Sequence, residues 1–298
     1  MRWEDFRSSD NVEDRRGQGG GGFRFPGGGR GGLGIGTIVV VGLVGWALGI
    51  NPLLLIGGLE AINGMSGGGQ QQSAPQQTGP QGAPSDQLGK FAATVLAQTE
   101  DVWTELFKAQ GKTYQQPKLV LFSGSTRSGC GGAQSAMGPF YCPLDQKVYL
   151  DLSFFQEMKN KFRAPGDFAA AYVIAHEVGH HVENQIGLLP KVQQAQQQAR
   201  SKAEANNLSV RVELMADCLA GVWAYHANER FRILEPGDVE QALNAATAIG
   251  DDRLQRQSQG FAVPDSFTHG SSQQRVEWFT RGLKTGSMQQ CNTFQSAI

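Results

Sequence analysis

Residues 176–181 read His-Glu-Val-Gly-His-His, which sets His176, Glu177 and His180 in the order His-Glu-x-x-His. On a helix, positions i and i+4 share a face, so both imidazoles point the same way. Two neutral imidazoles at that spacing grip one Zn²⁺. Glu177 lies beside the metal position and is placed to hold a water rather than the ion. Metal-assisted hydrolysis is the chemistry these residues allow. The bland alternative is a helix whose histidines are merely packed or solvated. The setting argues against it: Asp167, a candidate N-cap, follows Pro165-Gly166, and an Ala-rich run leads to Ala175. Gly179 inside the motif costs about 1 kcal/mol of helix propensity against Ala, a cost that makes sense if another backbone approaches closely there.

A catalytic zinc takes three protein ligands and keeps one position for water. Glu213, in Val210-Arg-Val-Glu-Leu-Met-Ala-Asp-Cys-Leu-Ala-Gly221, is the candidate third ligand. Glu213 and Asp217 are four apart and share a helical face. Their flanks, Val212, Leu214, Met215, Ala216, Leu219 and Val222, are apolar, and a carboxylate buried among them needs a metal or a partner. Glu213 is read as the ligand. Asp217 is read as the acceptor for the free N–H of a ligating histidine, fixing its tautomer. Glu183 lies too close to the histidine helix to serve. His181 points about 100° away from His180.

These motifs, together with Cys130-Gly-Gly-Ala, Gly138-Pro-Phe-Tyr-Cys-Pro-Leu-Asp-Gln-Lys-Val-Tyr-Leu-Asp151 and Asp265-Ser-Phe-Thr-His-Gly-Ser-Ser272, resemble a gluzincin-type metallopeptidase, and within it the bacterial YpfJ-type neutral zinc metallopeptidase family. The resemblance runs through most of the chain. It implies Zn²⁺, a His-Glu-x-x-His helix and a glutamate ligand on a later helix, and it names no substrate. It also implies that Lys147–Asp151 is the edge strand that pairs with an extended peptide, against the ordinary-hairpin reading. Thr268-His-Gly-Ser-Ser-Gln-Gln-Arg275 is similar to a His-x-x-x-x-x-Arg element late in related membrane-associated metallopeptidases. His269 is therefore a candidate catalytic group that stabilises the tetrahedral oxyanion. The competing reading makes this segment a helix cap built on Ser271 or Ser272. Tyr141, Tyr149 and Tyr172 are further candidates for the oxyanion role.

Four parts must position this chemistry. Residues 1–32 are Gly- and Arg-rich and read as a disordered tail. Residues 33–59 carry no charge and are long enough for one transmembrane helix. Residues 60–86, rich in Gly, Gln and Pro, read as a flexible linker. Residues 87–298 form the metallopeptidase domain, α+β, mostly helical and zincin-like with a small β-sheet. Helices are expected near 87–109, 154–162, 190–206, 208–228, 236–249 and 272–284, with strands at 118–122 and two short ones within 140–150. Arg15, Arg16, Arg24 and Arg30 precede the apolar stretch, and the next basic residue after it is Lys90. The positive-inside rule then places the N-terminus in the cytoplasm and the domain in the periplasm or outside the cell, on a single-pass inner-membrane protein. The formal charge of −1 argues against nucleic acid as a partner.

The four cysteines, Cys130, Cys142, Cys218 and Cys291, suggest two disulfides in an oxidising compartment, with three possible connectivities. Cys130–Cys142 with Cys218–Cys291 is the favoured pairing. The function expected from these features is a membrane-anchored zinc peptidase acting on peptide or protein, with Glu177 as general base. Two alternatives stay open: a tethered zinc-binding or chaperone-like module without catalysis, and a hydrolase of cell-wall amide bonds.

Overall fold

The computed structural model describes residues 1–17, 79–82 and 84–298. Strand β1, Val12–Asp14, opens the chain's regular structure. Helix α1, Gln87–Ala109, is capped by Asp86, whose side chain accepts the Gly89 N–H at 2.9 Å. It buries Phe91, Val95, Val102, Trp103 and Phe107. Then come β2 Lys118–Phe122, the hairpin β3 Ser125–Ser128 and β4 Gly131–Gln134, β5 Phe140–Cys142 and β6 Lys147–Asp151. The main sheet has the order β1-β2-β6-β5, parallel except for β5. Its central strands are buried on both faces, as parallel strands are. Leu119, Leu121, Val148 and Leu150 face the helices, while Val120, Phe122 and Tyr149 pack with Cys142 on the other side.

Eight helices in all are described, and the remaining seven follow the sheet: α2 Ser153–Asn160, α3 Asp167–Gln185, α4 Leu188–Gln197, α5 Lys202–Phe231, α6 Asp238–Ala248, α7 Asp251–Gln259 and α8 Ser272–Thr285. Helix α3 runs through the middle, with Phe168, Ala171, Tyr172, Val178 and Val182 fully enclosed. It lies against α5, and α5 in turn against α8. Both crossings depend on missing side chains. A Cβ at Gly179 would meet the Ala216 carbonyl oxygen at 3.0 Å, and one at Gly282 would meet that of Cys218 at 1.9 Å. The helix cost at Gly179 is thus the condition for bringing α5 onto the histidine helix.

Several expectations are corrected. Residues 1–17 are not a disordered tail. β1 joins the sheet beside β2, Trp3 packs edge-on against Phe91 at 5.4 Å, and Val12 is buried. The Gly-rich composition of the following residues masked three apolar anchors, Trp3, Phe6 and Val12. The last part of the 60–86 linker is also structural, since Gln81 bridges to Glu13. The apolar stretch 33–59 lies outside the described residues; among the described helices none is long and apolar enough to cross a membrane. Strand β6 is interior, between β2 and β5, so Lys147–Asp151 is not an edge; β5 is the outer strand of that side. The helix expected from Pro190 to Asn206 ends at Gln197, and α5 starts at Lys202 because Ser201 caps it, accepting the Glu204 N–H at 3.1 Å. Asp167 is the first helical residue of α3 and Gly166 holds the cap position. Both disulfides have the favoured pairing, Cys130–Cys142 and Cys218–Cys291.

Candidate metal centre

Helix α3 brings His176, Glu177 and His180 to one face, and α5 brings Glu213 opposite. Glu213 Oε2 is 3.2 Å from His176 Nε2, and Oε1 is 3.7 Å from His180 Nε2. One donor atom from each of the three lies within 4.8 Å of the others. Donors about 2.0–2.1 Å from a tetrahedral zinc sit roughly 3.3 Å apart, so the glutamate is already at metal-sharing distance from both rings. Two imidazole nitrogens and one carboxylate are the donor set of an open zinc site. The trio fits that ion.

The other nitrogen of each ring is engaged. His176 Nδ1 lies 2.9 Å from Asp217 Oδ1, and His180 Nδ1 lies 2.8 Å from Glu183 Oε2. Donation from Nδ1 leaves each Nε2 lone pair facing Glu213, which is the tautomer a metal needs. Glu183, set aside from sequence as a ligand, thus does for His180 what Asp217 does for His176. Its i, i+3 spacing from His180 was the available signal.

Asp217 accepts four hydrogen bonds. It is fully buried and accepts from Tyr172 Oη at 2.5 Å, from Arg275 Nε at 2.8 Å and from the Arg275 Nη2 at 3.0 Å, besides His176. Arg275 is buried as well, on α8, and its Nη2 also reaches Tyr172 Oη at 3.2 Å. Sequence reasoning quoted Arg275 as the end of a motif without giving it a role, since only the packing of α8 on α5 reveals its partner. Tyr172 is spent on Asp217 and is enclosed, so it is not a group for substrate. Tyr149 donates to Asp145 at 2.6 Å on the far face of the sheet. Tyr141 Oη lies 2.9 Å from His181 Nδ1. Tyr141 and Tyr149 are thus held by other partners, and Tyr172 packs beside His176 with its hydroxyl bonded to Asp217. His181 pins α3 to the loop between α1 and β2 through Gln115 O at 2.6 Å, and burial pushes its pKa down to about 4.

Charge in the site is shared between acids and imidazoles. Burial opposes ionisation of His176, yet Asp217 and Glu213 outweigh it and raise its pKa to about 10. His180 is raised against the same burial by Glu213 and Glu183. Burial would raise Glu213, but His180, His269 and His176 hold it well below the ordinary carboxylate range. Asp217 sits at about 2 despite its burial, chiefly through Arg275 and then His176. Metal uptake at these rings is therefore coupled to proton release. Glu177 is different. Burial pushes it up, and its carboxylate makes no side-chain hydrogen bond among the described residues.

His269 precedes α8 and borders the site. Its backbone N–H donates to Asp251 Oδ2 at 2.6 Å and its Nδ1 lies 3.2 Å from Asp251 Oδ1. Its side chain stays 44% exposed, and the fields of Glu213 and Asp251 raise its pKa against burial, tempered by that open side. The helix-cap reading of the same segment holds: Ser271 caps α8 in a capping box with Gln274.

No solved structure matches this chain. It is 54% identical to the uncharacterized protein YpfJ of Escherichia coli strain K12, with 100% of both chains covered. It is 45% identical to an uncharacterized protein of Mycobacterium tuberculosis over 66% of this chain and 67% of that one. Residues 1–294 match the family described as "Putative neutral zinc metallopeptidase", and the chain belongs to that family.

Proposed function

We propose that this protein is a zinc-dependent peptidase that hydrolyses peptide bonds at the His176–His180–Glu213 centre, with Glu177 as general base and Asp217 and Glu183 orienting the ligands. The carrying observation is that the trio is three-membered among the described residues, with Glu177 beside it and unengaged. A purely structural zinc closes its fourth position with a protein ligand, whereas a catalytic one leaves it open. That difference favours the peptidase over a zinc-binding module without catalysis.

Zinc, when bound, supplies a Lewis acid that brings the pKa of a coordinated water toward neutrality. Glu177 takes the proton of the attacking water at its carboxylate and delivers it to the leaving amide nitrogen. Its burial, which raises its proton affinity, suits that double role. His269, held through Nδ1 by Asp251, donates from Nε2 to the developing oxyanion. Asp217 keeps His176 in its ligating tautomer, while Arg275 and Tyr172 keep Asp217 in place. A peptide laid in extended form would use backbone pairing, for which β5, not β6, is the outer strand. The uncharged stretch 33–59 holds the enzyme at a membrane, and two disulfides suit an oxidising compartment.

The test compares the full chain with Glu177→Gln for zinc content and for cleavage of an unfolded protein substrate. The variant should keep about one zinc per chain and lose turnover by 10²-fold or more. Equal cleavage by both would remove Glu177 from the mechanism, and zinc in both with cleavage in neither would favour the binding module.

A further inference from the structure

The seventeen N-terminal residues are built into the metal domain as firmly as any internal segment. Leu119 N–H donates to Asn11 O at 2.8 Å and Arg15 N–H to Leu121 O at 2.7 Å, so β1 completes the sheet. Helix α1 carries a buried acid, Glu100, whose partners all come from this segment: Ser9 Oγ at 2.5 Å, Asn11 Nδ2 at 2.8 Å and Arg7 Nη2 at 3.0 Å. Trp3 Nε1 donates to Asp167 at 3.1 Å, at the start of the zinc helix. Without residues 1–17, Phe91 and the outer edge of β2 would be bare and Glu100 unpaired.

The chain also comes back to the place from which it leaves. Asp14 N–H donates to Pro80 O and Gly82 N–H to Val12 O, both at 2.9 Å. Both ends of the stretch between Gly17 and Gly79 therefore start from one sheet edge. The arginines that oriented the chain by charge are partly consumed there. Arg15 is buried against Glu13 at 3.0 Å, and Arg16 pairs with Asp14 and Asp86, each at 2.6 Å. Paired within a fold, they no longer report which side of a membrane the N-terminus occupies.

We infer that residues 1–17 and the metal centre lie on the same side of the membrane. A single crossing between Gly17 and Gly79 would part β1 from β2. The inference rests on the fold alone.

The experiment uses the full chain in its own membrane. Asp10→Cys and Lys112→Cys, both at exposed positions, are treated with a membrane-impermeant maleimide in intact spheroplasts and again after permeabilisation. The four native cysteines are disulfide-bonded and silent. The two positions should label alike in both conditions. Labelling of one before permeabilisation and the other only after it would overturn the same-side inference. The labelling does not depend on peptidase activity.

Discussion

Replacing Asp217 with asparagine removes a negative charge from a site where it accepts four hydrogen bonds, from His176, Tyr172 and twice from Arg275. The amide keeps the shape but cannot balance the Arg275 guanidinium, which is 3% exposed. A buried charge stripped of its partner costs about 3–5 kcal/mol. Against a total stability of about 5–15 kcal/mol, that is a large fraction, and it should lower the melting temperature by roughly 6–20 °C. A second loss is separate. His176 loses the carboxylate that holds its Nδ1–H, and zinc affinity should fall about 10–100-fold. A double variant tells the two apart. In Asp217→Asn/Arg275→Leu the orphaned charge is gone, so much of the stability should return while zinc affinity stays low. Urea unfolding of the zinc-free chains and competition with a metal-sensitive dye read the two quantities. If the single variant unfolds at the wild-type midpoint, the buried ion pair does not carry the energy assigned to it. If the double variant regains full zinc affinity, Asp217 does not orient His176.

Glu213→Ala should abolish tight zinc binding and cleavage, because two imidazoles alone remain; elemental analysis showing one zinc per chain would move the third ligand elsewhere. His269→Ala should keep the metal and cut kcat about 10²–10³-fold with little change in KM, the pattern of a group that acts on the oxyanion; an unaltered kcat would leave the segment only its capping task. The pH response should change sign with the metal. In chelated protein His176 has its pKa raised from about 6.5 to about 10 by Asp217, against burial, so the stability it contributes is full below about pH 6.5 and is lost as pH rises toward 10. In zinc-loaded protein the same ring must be unprotonated, so stabilisation by the ion grows as pH rises. Unfolding midpoints at pH 6, 8 and 9.5, with chelator and with zinc, test this, and a flat chelated series would refute the Asp217–His176 ion pair.

That His176, Glu177 and His180 share one helix was legible without any structure because helical spacing alone puts them together; a local rule suffices for i and i+4. Glu213 and Asp217 were legible for a related reason, two acids on one face of an apolar helix. Both disulfides could be favoured from count and loop length, although other pairings were equally available to the chain. What lay beyond local rules is what depends on distant segments meeting. Arg275 stands 58 residues from Asp217, and nothing near it in sequence marks it as the partner of a buried carboxylate. The tyrosines show the reverse failure: residue type made them oxyanion candidates, and packing engaged each hydroxyl with another side chain. Strand β6 became interior only because β5 folded back beside it. The N-terminal segment is the sharpest case. Its composition reads as a tail, because three apolar anchors among charged residues are too few to bury themselves. They become structure only when α1 and β2 offer a ready surface and the Glu100 carboxylate to bind, and that surface exists only in the folded domain.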